Sequence, residues 1–248
     1  MVNLDKILVK ELLKSFGNLK VLDNVTFSVK EGEFLCIVGP TGCGKTTLLK
    51  ILANLIEADS GEVLINGSPP NPKLHKIGYV PQSISLMPWR NVYSNIKLGL
   101  ELRGVKEAEI FRRVMEVINL VGLAGFENYF PHQLSLGMKA RVAIARALVI
   151  DPDVMLMDEP LANLDWHSRS IMQSELLRLH EKAGKTTVYV THNVEEALLL
   201  ADRIVVLTSR PARVKTEIEV HFKKPRNRFE GDFVLLRKRI ENLVKEEE

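Results

Sequence analysis

The nonapeptide GPTGCGKTT, residues Gly39–Thr47, constrains the fold of this chain most, because it contains the complete pattern G-x-x-x-x-G-K-[ST]. The preceding residues, Phe34–Val38, are all apolar, as in a strand buried on both faces. The following residues, Leu48–Ala53, are compatible with a helix. Strand, glycine-rich loop and helix in this order are the setting in which the pattern cradles phosphate groups. The sequence therefore predicts a phosphate-binding loop on an α/β core.

The residue types of this loop match the chemistry of holding a polyphosphate. Gly42 and Gly44 let the backbone curl so that successive N–H groups converge on an anion, and the start of the helix adds partial positive charge. We expect Lys45 to reach the β- and γ-phosphates and the Thr46 hydroxyl to ligate Mg²⁺. The predicted phosphate-binding residues are Gly39, Pro40, Thr41, Gly42, Cys43, Gly44, Lys45, Thr46 and Thr47.

Composition limits the remaining possibilities. The chain has 248 residues, 46% of them apolar, which is enough for a substantial core. A net charge of +3 is too small to indicate a nucleic-acid partner. No apolar run approaches the roughly 18 residues of a membrane span, and the N-terminal residues lack the apolar core of a signal peptide. Cys36 and Cys43 are expected to be free thiols in a reducing cytosol.

Hydrophobic periodicity predicts a P-loop core with a mostly parallel sheet, an N-terminal antiparallel β subdomain and an inserted α-helical subdomain. Alternation over residues 4–33 favours short antiparallel strands, and residues 59–61 are expected to form a turn. Spacings of three and four dominate residues 87–150, where Ser135 is placed to cap a helix. We expect one domain, 1–248, in which 1–86 and 151–248 form the β subdomain and core, 87–150 the helical subdomain, and 225–248 a C-terminal helical tail.

Two adjacent acids follow a second buried strand. The apolar run Val154–Met157 ends in Asp158 and Glu159. Asp158 is expected to hold Mg²⁺, directly or through water, and Glu159 to polarise a water for in-line attack. Adjacent acids alone are common in surface turns, but downstream of a phosphate-binding loop they indicate hydrolysis of a nucleoside triphosphate.

Along essentially its full length the chain resembles the ATPase subunits of ABC transporters. Five separated motifs in the family's order carry the resemblance: the loop Gly39–Thr46, Gln82 after a strand, Leu134–Met138 (LSLGM), Asp158-Glu159, and Thr191-His192. The segment Leu161–Asp165 (LANLD) is similar to the family's D-loop, and Phe16 matches its adenine-stacking aromatic, although position alone favours a core role for Phe16.

The resemblance implies an α/β ATPase that binds ATP and Mg²⁺, with two ATP molecules sandwiched between two copies of the chain. Gln82 would sense the γ-phosphate and the metal, and His192 would contact the γ-phosphate and help hold the attacking water. The implied catalytic residues are Glu159, His192, Gln82 and Lys45, and the implied metal ligands are Thr46, Gln82 and Asp158.

The opposite copy would contribute the segment around Ser135. By resemblance, Ser135 and Gly137 contact the γ-phosphate bound by the partner copy, and Asp165 lies across the dimer interface. The family pattern is Leu-Ser-Gly-Gly-Gln, whereas this chain has Leu136 at the first glycine and Met138 at the glutamine. We expect Leu136 to weaken the contact between copies and slow hydrolysis, because leucine resists backbone conformations that glycine accepts and adds bulk.

The local sequences Met87–Val92 (MPWRNV) and Val194–Leu198 (VEEAL) are most similar to importer ATPases for nitrate, sulfonates and taurine. This implies a separate membrane permease, an extracytoplasmic substrate-binding protein, no nucleic acid, and a peripheral location at the cytoplasmic face of the cell membrane. Trp89 would either contact the permease or pack the helical insertion against the core.

Two alternatives stay open. One is an ABC ATPase outside transport, as in DNA repair or translation, although one cassette without sustained heptads argues against it. The other is a low-turnover nucleotide-binding regulator, which only Leu136 favours.

Overall fold

The computed structural model describes residues 5–245 of the chain. The ends of the predicted domain and tail, residues 1–4 and 246–248, lie outside these described residues. Two compact units are present: unit 1 is Met1–His75 with Gly184–Glu248, and unit 2 is Lys76–Ala183. The secondary structure elements, in chain order, are β1 (Ile7–Phe16), β2 (Leu19–Val29), β3 (Phe34–Val38), α1 (Lys45–Leu52), β4 (Ser60–Ile65), β5 (Ile77–Val80), α2 (Val92–Glu101), α3 (Glu107–Leu120), α4 (Leu136–Leu148), β6 (Val154–Asp158), α5 (Trp166–Ala183), β7 (Thr186–Val190), α6 (Val194–Leu200), β8 (Arg203–Leu207), β9 (Val214–Glu219) and α7 (Gly231–Lys245).

One sheet of unit 1 is antiparallel, with strand order β2-β1-β4. Its strands β1 and β2 have 10 and 11 residues, so the prediction of short strands is wrong in length. The reason is a bulge at Glu11 (φ 48°), which interrupts the alternation of β1 without ending the strand. Gly61 belongs to β4 rather than to a turn, and a side chain there would lie 2.5 Å from the Glu11 carbonyl oxygen.

The other sheet of unit 1 places β3 between β7 and β8, all parallel, with β9 antiparallel beside β8. Strands β3 and β7 are buried along their whole length, which explains why their sequences are continuous apolar or β-branched runs. Because parallel strands end at the same edge, the loop after β3 and the residues after β7 share one side of this sheet.

Helices α6 and α7 of unit 1 are held together by apolar and charged contacts. Phe233 and Ile240 form the buried stripe of α7, as the helical spacing predicts. Glu195 of α6 pairs with Arg228 at 3.2 Å and with Arg237 at 2.8 Å. The C-terminal helix is therefore an ordered part of unit 1.

Unit 2 combines the parallel strand pair β5-β6 with helices α2 to α5. The predicted helical insertion, 87–150, contains α2, α3 and α4 within this unit, and its boundaries stay a prediction. Asn91 caps α2 and Ser135 caps α4, each by accepting a hydrogen bond from a backbone N–H of the first turn. The apolar stripes are buried as their spacing predicts, at Val92, Ile96, Leu100, Val114 and Ile118.

The predicted α/β class with a mostly parallel sheet is confirmed. Both cysteines are free and buried. Among the helices of residues 5–245, none combines the length and apolarity that a membrane crossing requires.

Candidate active site

The loop between β3 and α1 encloses the side chain of Lys45. This lysine is 5% exposed, and its ammonium donates hydrogen bonds of 2.8 Å to the carbonyl oxygens of Gly39 and Pro40. The Cys43 sulfur lies 3.9 Å from the same ammonium. Burial raises the pKa of the Cys43 thiol, partly offset by Lys45, so the thiol is neutral and adds no negative charge that would oppose an anion. The loop thus holds a nearly buried ammonium against main-chain carbonyl oxygens.

The turn into α1 depends on a glycine. Gly44 precedes the helix with φ 127°, and a side chain there would lie 2.9 Å from Val21, so only glycine fits. The N-cap residue Gly44 makes no side-chain capping hydrogen bond at the start of α1. Together with Lys45, this geometry fits a polyphosphate.

His192 lies on the same sheet edge as the loop, within unit 1. It follows β7, and the backbone N–H of its neighbour Thr191 donates to the Ile37 carbonyl oxygen at 3.2 Å. The His192 side chain is exposed, and Asn193 caps α6 directly after it. The fold of unit 1 therefore brings His192 and the loop to one edge of the sheet.

Phe16 ends β1 and does not pack in the core. Its side chain is 51% exposed, which removes the reading of Phe16 as a core aromatic and leaves the ring available for stacking. Gly17 follows with φ 57°, as expected for the tight turn into β2.

Within unit 2, Asp158 is the last residue of β6 and is 2% exposed. Tyr79 of β5 donates a hydrogen bond to it, and burial together with the carboxylate of Asp158 raises the pKa of Tyr79 to about 12. The phenol therefore stays protonated at neutral pH and acts as a fixed donor to Asp158. Tyr79 was not singled out by sequence reasoning, because a tyrosine in a buried strand is ordinarily a packing residue.

Glu159 and Gln82 are brought together by the parallel ends of β5 and β6. The Gln82 amide nitrogen lies 3.4 Å from the Glu159 carboxylate and donates to it. Glu159 has φ 45°, a left-handed conformation that is uncommon for a residue with a side chain. Strain of this kind persists where the surrounding structure imposes it, and it often marks a functional site.

Ser135 and Leu136 lie at the exposed start of α4. Ser135 accepts a hydrogen bond from the Met138 N–H at 3.2 Å. Leu136 is the first residue of the helix, so its backbone is right-handed. Its side chain is 51% exposed. The expectation that leucine strains the backbone here is therefore wrong, and only its bulk distinguishes it from glycine. No atom lies within 4 Å of the position that a side chain at Gly137 would occupy.

Asp165 caps α5 in unit 2, and the preceding loop is held by Arg169. The Asp165 carboxylate accepts from the Ser168 N–H at 3.0 Å, and this hydrogen bonding with Ser168 lowers the pKa of Asp165. Arg169 donates to the carbonyl oxygens of Leu161, Ala162 and Leu164, at 2.8 Å for Leu164. This role of Arg169 was missed from the sequence, because an arginine on a polar helix face is ordinarily solvated.

Asn95 fixes the loop 87–91 and was also missed. It is buried, accepts from the Met87 N–H at 2.9 Å and donates to the Met87, Arg90 and Asn91 carbonyls. Trp89, which this loop presents, is 72% exposed. The structure therefore disfavours the reading in which Trp89 packs the insertion against the core.

Metal binding was tested on the chemistry of the available donors. Residues 5–245 contain no group of three His, Cys, Asp or Glu side chains arranged to hold a metal. Mg²⁺ needs only one or two protein oxygens when substrate phosphates and water complete its shell. Thr46, Gln82 and Asp158 supply oxygen donors of that kind.

The profile of the ABC transporter family matches residues 22–162. An uncharacterised ABC transporter ATP-binding protein of Methanocaldococcus jannaschii is 47% identical over 246 residues, which cover 98% of this chain and 92% of the relative. An aliphatic sulfonates import ATP-binding protein of Bacillus thuringiensis is 39% identical, over 93% of this chain and 91% of the relative. A maltose/maltodextrin import ATP-binding protein of Yersinia pestis is 43% identical, over 91% of this chain and 62% of the relative.

Among solved structures, a dimeric ATP-binding cassette in a post-hydrolysis state, bound to ADP and Pi, superposes with a TM-score of 0.74. It is 32% identical, and the match covers 88% of this chain and 100% of that one.

Proposed function

This chain belongs to the ABC transporter ATP-binding proteins and is an ATPase, and on that premise we propose that it powers import through a separate membrane permease. The chain works as a homodimer at the cytoplasmic face of the membrane, and the substrate of the transporter is an oxyanion of the sulfonate class. Similarity to a sulfonate importer ATPase over 93% of this chain supports this substrate class. Because the chain is also similar to a maltose importer ATPase, the substrate class needs a direct test.

The observation that carries the proposal is the geometry of the loop after β3. A buried ammonium, a neutral thiol and the start of helix α1 lie together in this loop, and such a combination favours a polyanion. We assign the triphosphate of ATP to this loop and the adenine to the exposed ring of Phe16.

Hydrolysis needs a positioned water and little covalent chemistry from the protein. Glu159 is the assigned base: it takes a proton as the water oxygen attacks the γ-phosphorus, and the bond from that phosphorus to the β,γ-bridging oxygen breaks to release ADP. Gln82 supports Glu159 through their 3.4 Å contact. We assign to His192 and Lys45 the stabilisation of the negative charge on the γ-phosphate. Mg²⁺, with Thr46, Gln82 and Asp158 as its protein ligands, would supply charge neutralisation on the phosphate oxygens.

The second copy of the chain is assigned the completion of each site. Ser135 and Gly137 are exposed or half-buried at the start of α4, where they are accessible to a γ-phosphate held by the partner copy, and Asp165 is exposed before α5. Dimer closure would then draw on the higher affinity of ATP for the closed state. An extracytoplasmic binding protein would deliver the substrate to the permease, and Trp89 would contact that permease.

The test is uptake of a labelled alkanesulfonate by the source organism, with the gene deleted and then restored as wild type or as Glu159→Gln. We expect deletion to abolish uptake and only the wild-type gene to restore it. Normal sulfonate uptake after deletion, with loss of uptake of a sugar or polyamine instead, would contradict the substrate class. If the deletion strain takes up every tested substrate normally, the proposed role in import is contradicted.

A further inference from the structure

The exposed ring of Phe16 is held by a lysine two residues earlier in the same strand. The Lys14 ammonium lies 5.3 Å from the centre of the Phe16 ring, within the range of a cation–π interaction. Although Lys14 is a charged residue near the strand end, its side chain is only 14% exposed. One face of the ring is therefore occupied by a nearly buried cation, while half of the Phe16 surface stays accessible.

Asp59 fixes this lysine and the backbone next to Phe16 at the same time. One of its carboxylate oxygens pairs with the Lys14 ammonium at 2.7 Å, and the other accepts from the Ser15 N–H at 2.6 Å. Its own N–H donates to the Leu13 carbonyl oxygen at 3.0 Å. The hydrogen bond from Lys14, and then that from Ser15, lower the pKa of Asp59, so it remains ionised at neutral pH.

The strand pairing next to this ring is irregular. Pairing of β1 with β2 shifts register between Leu12 and Lys14 and again between Lys14 and Ser15. The ladder is therefore irregular next to the ring, although Ser15 still pairs with Lys20 and Phe16 with Leu19, and the strand end gains additional support from the Asp59 contacts. Without them, an exposed aromatic at a strand end would be free to change rotamer, and ordering it on binding would cost conformational entropy.

We propose that Lys14 and Asp59 are positioning residues for base recognition: Asp59 holds Lys14, and Lys14 holds the Phe16 ring with one face covered and the other open to a purine. This inference rests on the proposed role of Phe16 in ATP binding. The ammonium attracts the π electrons of the ring, and a ring fixed in advance loses less freedom when the base stacks on it. Lys14 does not touch the phosphates in this arrangement, so its contribution depends on the base.

The test compares Lys14→Met, Lys14→Arg and Asp59→Asn in the full chain, with Lys10→Met as the matched control, because Lys10 is an exposed lysine of the same strand. Dissociation constants for ATP and for inorganic tripolyphosphate are measured by calorimetry, together with KM and kcat. We expect Lys14→Met to raise the Kd and KM for ATP about threefold to tenfold, with kcat within about twofold and tripolyphosphate binding unchanged. Asp59→Asn should have a smaller effect of the same kind, and Lys14→Arg should restore wild-type binding.

The outcomes separate this inference from the proposed function. If Lys14→Met weakens ATP and tripolyphosphate equally, or weakens neither, the positioning role is wrong even though the wild type binds ATP. The same holds if Lys14→Met still weakens ATP binding in a Phe16→Ala background, since the effect must pass through the ring. If the wild type binds neither ligand, the proposed function itself fails. Melting temperatures of all variants show whether a loss reflects unfolding.

Discussion

The loop around Lys45 in unit 1 and the start of α4 in unit 2 differ in how much of the proposed site each contains within one copy of the chain. The loop supplies its own donors, since Lys45 is buried and bonded to two carbonyl oxygens at the start of α1. At the start of α4, Ser135 and Leu136 are exposed. Leu136 stands where the family pattern has glycine. Binding chemistry is thus built into one unit, while the chemistry of Ser135 needs a partner copy in our account.

Replacing the base should have the largest effect and leave the loop intact. We expect Glu159→Gln to lower the ATPase rate about a thousandfold, because the amide cannot take the proton of the attacking water. ATP affinity should be kept, and ATP-dependent dimers should accumulate in size-exclusion chromatography. Glu181→Gln, an exposed residue of α5, is the control. Normal turnover in the Glu159 variant would remove Glu159 as the base.

Lys45→Met tests whether the loop in unit 1 binds the nucleotide. Loss of the ammonium removes a charge-assisted contact to phosphate, so we expect ATP affinity to fall about tenfold to a hundredfold. Calorimetric titration measures it, with Lys50→Met on the exposed face of α1 as control. Equal affinity in wild type and Lys45→Met would show that the nucleotide is held elsewhere.

Asn95→Ala tests whether unit 2 depends on a buried polar residue to present the loop 87–91. The substitution leaves the Met87 N–H and the carbonyl oxygens of Met87, Arg90 and Asn91 without their side-chain partner, and we expect the free energy of unfolding to fall by about 2 kcal/mol. Urea denaturation measures it, with exposed Asn119→Ala as control. A loss no larger than that of the control would contradict the anchoring role.

Leu136→Gly should have the smallest effect on the ATPase rate. It tests the start of α4 alone, because the loop that binds ATP is unchanged. Because the Leu136 backbone is already helical, glycine removes only bulk, and we expect ATPase activity to rise about threefold with stability lower by less than about 1 kcal/mol. ATP affinity of the monomer should not change. Leu102→Gly, another exposed leucine of unit 2, is the control. An unchanged rate would mean that Leu136 does not hinder the partner copy.

The sequence predicted the parts of this molecule whose pattern is local. The phosphate-binding loop, the buried strands, the Ser135 cap and the apolar helical stripes follow from glycine spacing, hydrophobic periodicity and capping rules. The length of β1 was missed because a bulge breaks alternation, and the extent of β4 because Gly61 reads as a turn residue. In both cases the deciding contact lies between strands distant in sequence.

The supporting residues of the site were beyond sequence reasoning for a related reason. Tyr79, Asn95 and Arg169 act through hydrogen bonds to a carboxylate or to backbone carbonyls, and their own residue types fit ordinary packing or solvated positions. The roles of Ser135, Gly137, Asp165 and His192 come from family resemblance, because local residue patterns do not show which side chains meet a nucleotide.

The most direct test of the account is a crystal structure of the Glu159→Gln variant grown with ATP and Mg²⁺. The account predicts the β- and γ-phosphates within hydrogen-bonding distance of the backbone N–H groups of residues 42–46 and of the Lys45 ammonium, and the adenine stacked on Phe16. Nucleotide bound at another surface, or a loop that stays empty at saturating ATP, would contradict it.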